Sequence, residues 1–153
     1  MPELYQEVIV TAPVDEVYPV VAEVEKYPEF LPDVKTVRRE GDLVEMTVQA
    51  GPLELTWVHH ATFVDNREIR LTLVRGPFRR LDGCWTFTPV EGGTRVSYRT
   101  VWDLDLPLPG ASLLVARALK ANIDGTIRAF ARRIRDLRRA RRQPAAPDGR
   151  TDG

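Results

Sequence analysis

The adjacent histidines His59 and His60 are the side chains of this sequence best suited to proton transfer, because imidazole titrates near neutral pH. They lie in a run of alternating apolar residues, which predicts that His59 faces inward and His60 outward. A metal site would need further histidine, cysteine or carboxylate ligands at suitable spacing, and none stands nearby in the sequence. We therefore expect a partly buried, hydrogen-bonded His59 and no metal site.

The single cysteine, Cys84, has no basic residue at a fixed spacing that would activate its thiol, so we expect a structural role for it. One cysteine cannot form an internal disulfide, and residues 1–10 carry acids but no basic segment of the secretory kind. Both features predict a cytoplasmic protein. The sequence also lacks a glycine-rich phosphate loop, a serine nucleophile elbow and zinc-ligand spacing. We therefore expect no cofactor and no catalysis by a standard motif.

Aromatic residues recur at alternate positions of the predicted strands and form the most informative set of side chains. The rings predicted to face inward are Trp57, Phe63, Trp85, Phe87, Tyr98 and Trp102. Such rings ordinarily pack as core, but small-molecule sites are also apolar pockets with a few polar groups. The phenol of Tyr98 and the indole N–H groups of Trp85 and Trp102 would supply those groups. The residues predicted to line a ligand are Trp57, Phe78, Trp85, Tyr98, Trp102, Ile123 and Ile127.

The first forty residues predict one strand and two short helical elements. Residues 4–11 are apolar and β-branched, which indicates a strand. Valines at helical spacing follow in residues 14–24, where Pro19 predicts a short or kinked helix. Residues 27–32 contain two prolines and allow at most one helical turn.

From residue 34 to about 104 the apolar pattern has a period of two and is interrupted by short turns such as Asp65-Asn66 and residues 91–93. Strands joined by turns this short must be antiparallel neighbours, because a parallel crossover needs a dozen residues or more. The sequence therefore predicts a meander of about six strands, which with the first strand gives an antiparallel sheet of about seven.

A long amphipathic helix is predicted after the turn at residues 107–110, ending near Arg139. Its apolar stripe consists of Ala116, Leu119, Ile123, Ile127, Phe130, Ile134 and Leu137. At 1.5 Å per residue the helix would be roughly 40 Å long and would lie across the whole sheet. Residues 143–153 contain two prolines and no periodicity, which predicts a disordered tail. Residues 1–142 are thus expected to form one α+β domain.

The formal net charge of zero conceals a segregation of charge along the chain. Residues 1–116 contain 11 Lys/Arg and 18 Asp/Glu, whereas residues 117–142 contain 10 and 2. The arginine-rich helix face either attracts the acidic body as solvated surface or binds the phosphates of ribosomal RNA or of lipid headgroups. In the second case Arg132, Arg135 and Arg139 would make the contacts. No run approaches the roughly 18 apolar residues of a membrane span.

Three stretches of the sequence resemble a known superfamily. These are residues 10–18 (VTAPVDEVY), residues 24–32 (VEKYPEFLP) and residues 76–87 (GPFRRLDGCWTF). Together with the long terminal helix they resemble the START-like superfamily and its helix-grip fold. Within it the chain is most similar to the polyketide cyclase/dehydrase and coenzyme-Q-binding group, which also contains ribosome-association toxins. The resemblance covers about residues 3–140 and implies a deep cavity between a curved antiparallel sheet and the long helix.

Three functions follow from this resemblance and from the residues. The first is non-enzymatic binding or transport of a hydrophobic molecule, such as a lipid, an isoprenoid quinone or a polyketide-like compound. The second is a polyketide cyclase/aromatase in which His59 or Tyr98 transfers protons. The third is a ribosome-associated interaction protein that acts through the basic helix. We favour the first, because no standard catalytic motif is present.

Overall fold

The computed structural model describes residues 3–104 and 110–142. One strand is followed by two short helical segments, six further strands and one long helix. The elements are β1 (Glu3–Val10), α1 (Val14–Ala22), a 3-10 helix (Val24–Glu29), β2 (Val34–Glu40), β3 (Leu43–Ala50), β4 (Leu53–Val64), β5 (Glu68–Arg75), β6 (Phe78–Val90), β7 (Gly93–Leu104) and α2 (Ala111–Arg142). The predicted α+β order is confirmed. Residues 107–109 of the predicted turn and the predicted tail at 143–153 lie outside the described residues.

The seven strands form one antiparallel sheet in the order β1-β7-β6-β5-β4-β3-β2. Each strand from β2 to β7 pairs with the next along the chain, as the short turns predicted. The strand β1 pairs with β7 over its whole length, from Glu3 opposite Val101 to Val10 opposite Thr94. The two helical segments that follow β1 carry the chain to the far edge of the sheet, where β2 begins.

Irregularities in strand pairing bend this sheet. The register shifts between Val58 and His59 in β4 and again near the start of β6, and such bulges increase strand twist. The turn between β5 and β6 packs tightly on β4, since a Cβ atom on Gly76 would lie 2.7 Å from the Cβ of Trp57. Gly76 also has a φ of +155°, a backbone conformation that L side chains rarely adopt. The glycine thus lets the β5–β6 turn close against the strand that carries Trp57.

The long helix α2 packs against β1, β3 and α1. Its 32 residues correspond to a length of about 48 Å, so it extends one turn beyond the predicted end at Arg139. None of the seven residues of the predicted apolar stripe is exposed. The amphipathic interpretation of this segment is therefore confirmed.

Two apolar clusters hold α2 to the sheet, one toward each end of the helix. The first joins α1 and the 3-10 helix to the C-terminal half of α2 through Phe130 and Ile134. The second joins the central strands to the N-terminal half through Val115 and Leu119. The middle of α2, around Asn122 and Thr126, carries polar side chains on the sheet-facing side. Between the two clusters the helix and sheet enclose a cavity.

Candidate ligand-binding cavity

The cavity between the sheet and the middle of α2 has a volume of about 400 Å³. That size lies within the usual range of small-molecule sites, roughly 300–1,000 Å³. Residues of both apolar clusters line it, together with side chains from the segment that follows α1. Most of its wall is apolar. The arrangement therefore suits a hydrophobic guest with few hydrogen-bonding groups.

All three tryptophans of the chain line this cavity. The ring of Trp85 lies 4.5 Å from that of Tyr98 and 5.3 Å from that of Phe130, measured between centroids. Trp57 contacts the edge of Phe78 at 5.6 Å. These contacts fix the indoles of Trp57 and Trp85 in place, since each is buried against another ring. A guest in the cavity would consequently lie beside every indole of the protein.

The structure brings five of the seven sequence-predicted ligand residues together around the cavity. These are Trp57, Trp85, Tyr98, Trp102 and Ile123. Phe78 does not line the cavity, because it packs behind Trp57 in the second cluster. Ile127 does not line it either and is buried in the first cluster. Both residues support the wall rather than form it.

Several lining residues were absent from the sequence-based set. The segment after α1 contributes Val24, Tyr27 and Leu31, and the middle of α2 contributes Asn122 and Thr126. The hydroxyl of Tyr27 donates a hydrogen bond to the carbonyl of Val21, which ties this segment to α1. The two polar residues of α2 are four positions apart and adjoin the apolar stripe, a signal that sequence reasoning had available.

His59 is buried in the cavity wall, and its Nε2 atom lies 2.8 Å from the carbonyl oxygen of Leu81. Because a carbonyl oxygen can only accept, Nε2 carries the hydrogen and donates it. Burial lowers the pKa of the imidazole, an effect that the Leu81 hydrogen bond and the charge of Asp82 partly oppose. His60 is exposed on the other face. The predicted hydrogen bond of His59 is therefore confirmed, and the ring is more deeply buried than predicted.

Polar groups elsewhere in the wall are mostly paired within the protein. The Oγ1 atom of Thr100 donates to the carbonyl of Asp82 at 2.9 Å, and the Nδ2 atom of Asn122 donates to the carbonyl of Gln49 at 3.1 Å. Burial raises the pKa of the Tyr98 phenol, so that ring stays protonated at neutral pH. Within the described part of the chain, the buried indole nitrogen of Trp57 has no acceptor. The wall thus offers a guest few free polar groups.

Neither a metal centre nor a membrane-spanning helix is found in residues 3–104 and 110–142. No three histidine, cysteine or carboxylate side chains within these ranges are grouped in a way that would hold a metal ion. No helix there combines the length and the apolar character needed to cross a bilayer.

Part of the arginine-rich face of α2 contacts the acidic body of the protein. Arg133 pairs with Glu29 at 3.0 Å, while Arg138 and Arg141 both approach the carboxylate of Glu16, at 3.7 and 3.2 Å. The expectation that the basic segment attracts the acidic body is confirmed for these three arginines. Arg132, Arg135 and Arg139 remain exposed to solvent, and Arg139 also lies 3.8 Å from Asp136 of the same helix.

Comparison with known protein families shows the family to which this chain belongs. A family model described as polyketide cyclase / dehydrase and lipid transport matches residues 10–135, a span that includes the whole of β2 to β7 and most of α2. The chain belongs to this family. The predicted resemblance to the polyketide cyclase/dehydrase group is confirmed.

Relatives of this family member include bacterial toxins named for ribosome association. The chain is 27% identical over 147 residues to the ribosome association toxin RatA of Escherichia coli (strain K12), covering 92% of each chain. It is 29% identical over 133 residues to the RatA protein of Pseudomonas aeruginosa, covering 82% of this chain and 90% of that one. These relatives match along nearly their whole length.

Solved structures share the same fold. The protein TTHA0849 of Thermus thermophilus superposes with a TM-score of 0.79 at 25% identity, covering 89% of this chain and 99% of that one. An aromatase/cyclase, ZhuI of Streptomyces sp. R1128, gives 0.78 at 19% identity, covering 95% and 97%. A START superfamily protein of Mycobacterium smegmatis gives 0.73 at 18% identity, covering 88% and 98%. The helix-grip fold predicted from the sequence is therefore confirmed.

Proposed function

We propose that this protein binds a hydrophobic small molecule in the cavity between the sheet and α2, without chemically converting it. The observation that supports this most directly is the cavity of about 400 Å³, whose wall is mostly apolar and includes all three indoles. Burial of apolar ligand surface would supply the affinity. A lipid, an isoprenoid quinone or a polyketide-like compound fits this description. Localisation in the cytoplasm belongs to the same proposal.

Binding is favoured over catalysis because most polar groups of the wall are paired within the protein. A general acid or base must reach the proton that it transfers, within about 3 Å. The Nε2 atom of His59 already donates to Leu81, and the Tyr98 phenol holds its proton at neutral pH. The Nδ1 atom of His59, which can still accept a proton, and the phenol of Tyr98 are the remaining candidates for the cyclase/aromatase alternative. In an enzyme of that kind Tyr98→Phe would abolish turnover, whereas in a carrier it leaves the binding of a neutral apolar guest intact.

The test of this proposal is a titration with a neutral apolar fluorophore, N-phenyl-1-naphthylamine, whose emission rises in apolar surroundings. We expect saturable binding to the wild type and a loss of at least about tenfold in affinity, roughly 1.4 kcal/mol, for Ile123→Phe. Ile123 lines the cavity from α2 and is only half-buried, so a larger ring there would fill the space.

The matched control is Leu113→Phe, which makes the same kind of change on the same helix at a position that is 58% exposed. It should bind the fluorophore like the wild type. Circular dichroism would establish that both variants are folded. Equal affinity of all three proteins, or no saturable binding to the wild type, would contradict the proposal.

A second candidate function, ribosome association, is favoured by the similarity to RatA along 92% of both chains. It would use the exposed arginines of α2, of which Arg135 and Arg139 lie outside the cavity lining. Contacts with phosphates are strongly salt-dependent. We expect co-sedimentation with ribosomes at low salt, its loss at high salt, and weakening in Arg135→Glu/Arg139→Glu. Sedimentation of that variant like the wild type would exclude this surface.

A further inference from the structure

The cavity is open to solvent where its lining residues are exposed. Most lining residues are buried or half-buried, but Pro32, Asp33, Arg128 and Arg132 are exposed. The first two follow the 3-10 helix, and the two arginines lie in the middle of α2. Arg128 and Arg132 are four residues apart and therefore neighbours on one face of the helix. The exposed part of the lining on α2 thus carries two neighbouring guanidinium groups.

These two arginines differ from the three arginines of α2 that contact the acidic body. Arg133, Arg138 and Arg141 each pair with a carboxylate of the 3-10 helix or of α1. Across residues 3–104 and 110–142, Arg128 and Arg132 make neither an ion pair within 4.0 Å nor a side-chain hydrogen bond. Two positive charges thus lie at the entrance of an apolar cavity, where their hydrogen-bond donors remain available.

We propose that the guest of this cavity is an anionic amphiphile. Its apolar body occupies the space beside the tryptophans, and its acidic group lies at the opening between Arg128 and Arg132. This inference rests on the proposed binding function of the cavity and specifies its ligand class. Guanidinium groups present paired N–H donors that match the two oxygens of a carboxylate or a phosphate. The carboxylate of Asp33 also lines the cavity and would repel an acidic group, which leaves the two arginines as the favoured position for it.

The test compares three probes with the same twelve-carbon chain: dodecanoate, dodecyl phosphate and the neutral 1-dodecanol. Each is titrated below its aggregation concentration, at pH 8, by displacement of N-phenyl-1-naphthylamine. We expect the wild type to bind at least one of the two acids about tenfold more tightly than the alcohol, a difference of about 1.4 kcal/mol. Which of the two acids binds more tightly shows whether a carboxylate or a phosphate is the better headgroup.

The variant Arg128→Gln/Arg132→Gln should reduce that preference to about twofold or less, because it weakens the binding of the acids more than that of 1-dodecanol. Each single variant should lose part of the preference, which keeps the test available if the double variant is unstable. The control is Arg135→Gln, which removes an exposed arginine of the same helix that does not line the cavity. It should retain the full preference.

The failures of the two proposals have different signatures. If 1-dodecanol binds as tightly as both acids, or if the double variant keeps the preference, the anionic-ligand inference is wrong and the cavity function stands. If none of the three probes displaces the fluorophore and the fluorophore itself does not bind saturably, the cavity function is wrong and this inference falls with it.

Discussion

At the scale of single residues, His59 links the cavity wall to the stability of the fold. Its Nε2 atom donates to Leu81 on the strand β6, so the side chain joins β4 to β6 across β5. A hydrogen bond of this kind contributes about 0.5–1.5 kcal/mol. The ring must stay neutral to remain in this largely apolar wall, which makes its protonation a cost to the folded state.

Acidification is therefore expected to destabilise the protein through His59. Burial lowers the pKa of this imidazole below its ordinary value of 6.5, so the unfolded chain takes up the proton at a higher pH than the folded one. The stabilising contribution of His59 is present above that value and is lost as the pH falls toward the lower pKa of the folded state. Urea unfolding between pH 7.5 and 5 should show a steeper loss of unfolding free energy for the wild type than for His59→Gln. Parallel curves would contradict this prediction.

Two residues predicted to line the cavity do not line it, and they show what a hydrophobic pattern in the sequence does not report. Alternation along β4, β6 and β7 correctly oriented Trp57, Trp85 and Trp102 toward the helix. It reports which face a side chain occupies but not its position along the sheet. Phe78, which was predicted to line a ligand without being one of the alternating inward rings, packs against Trp57 and does not line the cavity. Ile127 shares the stripe of Ile123 but does not line the cavity, and the stripe does not show which of its members border an open space.

At the scale of elements, the middle of α2 is specialised for the cavity and not for helix stability. Gly125 lines the space together with Asn122 and Thr126. Glycine in a helix interior costs roughly 0.5–1 kcal/mol relative to alanine because its unfolded state has more conformational freedom. A Cβ atom at Gly125 would meet nothing within 4 Å. No close contact of the fold therefore requires glycine at this position.

We accordingly expect Gly125→Ala to stabilise the protein by about 0.5–1 kcal/mol. The contrasting variant is Gly83→Ala in β6, where the added Cβ would lie 2.7 Å from the hydroxyl oxygen of Tyr98 and must displace that ring. Gly83→Ala should lower the free energy of unfolding. Urea denaturation of both variants alongside the wild type measures the two effects, and destabilisation by Gly125→Ala would show that this position is constrained.

The strands and α2 were predictable because each has a sustained period, of two residues in the sheet and of three to four in the helix. The segment after α1 has neither, since Pro28 and Pro32 interrupt it. Its contribution to the cavity depends on tertiary contacts, in which the rings of Tyr27, Phe30 and Phe130 meet edge to face at 5.3–6.2 Å. No local pattern encodes such a meeting of distant residues.

At the scale of the whole molecule, the segregation of charge along the sequence allows ion pairs between α1 and the C-terminal part of α2. Glu16 of α1 lies close to both Arg138 and Arg141 of α2. The side chains of Glu16 and Arg138 are each 29% exposed. Water and salt therefore screen these ion pairs only in part. The ion pairs thus reinforce the first apolar cluster where α2 packs against α1.

Glu16→Gln is expected to lower the free energy of unfolding by about 0.5–1 kcal/mol in dilute buffer, as is usual for partly exposed ion pairs. The difference from the wild type should shrink in about 1 M salt, where the Debye length falls to about 3 Å. Urea unfolding at both salt concentrations measures this. Glu25→Gln, a change at an exposed glutamate of the 3-10 helix, is the control and should show no comparable salt-dependent difference.

The pairing of β1 with β7 has a consequence for the order in which the chain can fold. Glu3 lies opposite Val101, so nearly a hundred residues must leave the ribosome before the first strand acquires its neighbour. Contacts this distant in sequence slow folding, because the entropy of closing the loop is lost before the pairing compensates for it. During synthesis β1 remains without a partner while the β2–β7 meander assembles. Its docking, together with that of α2, is therefore a late event in the life of each nascent chain.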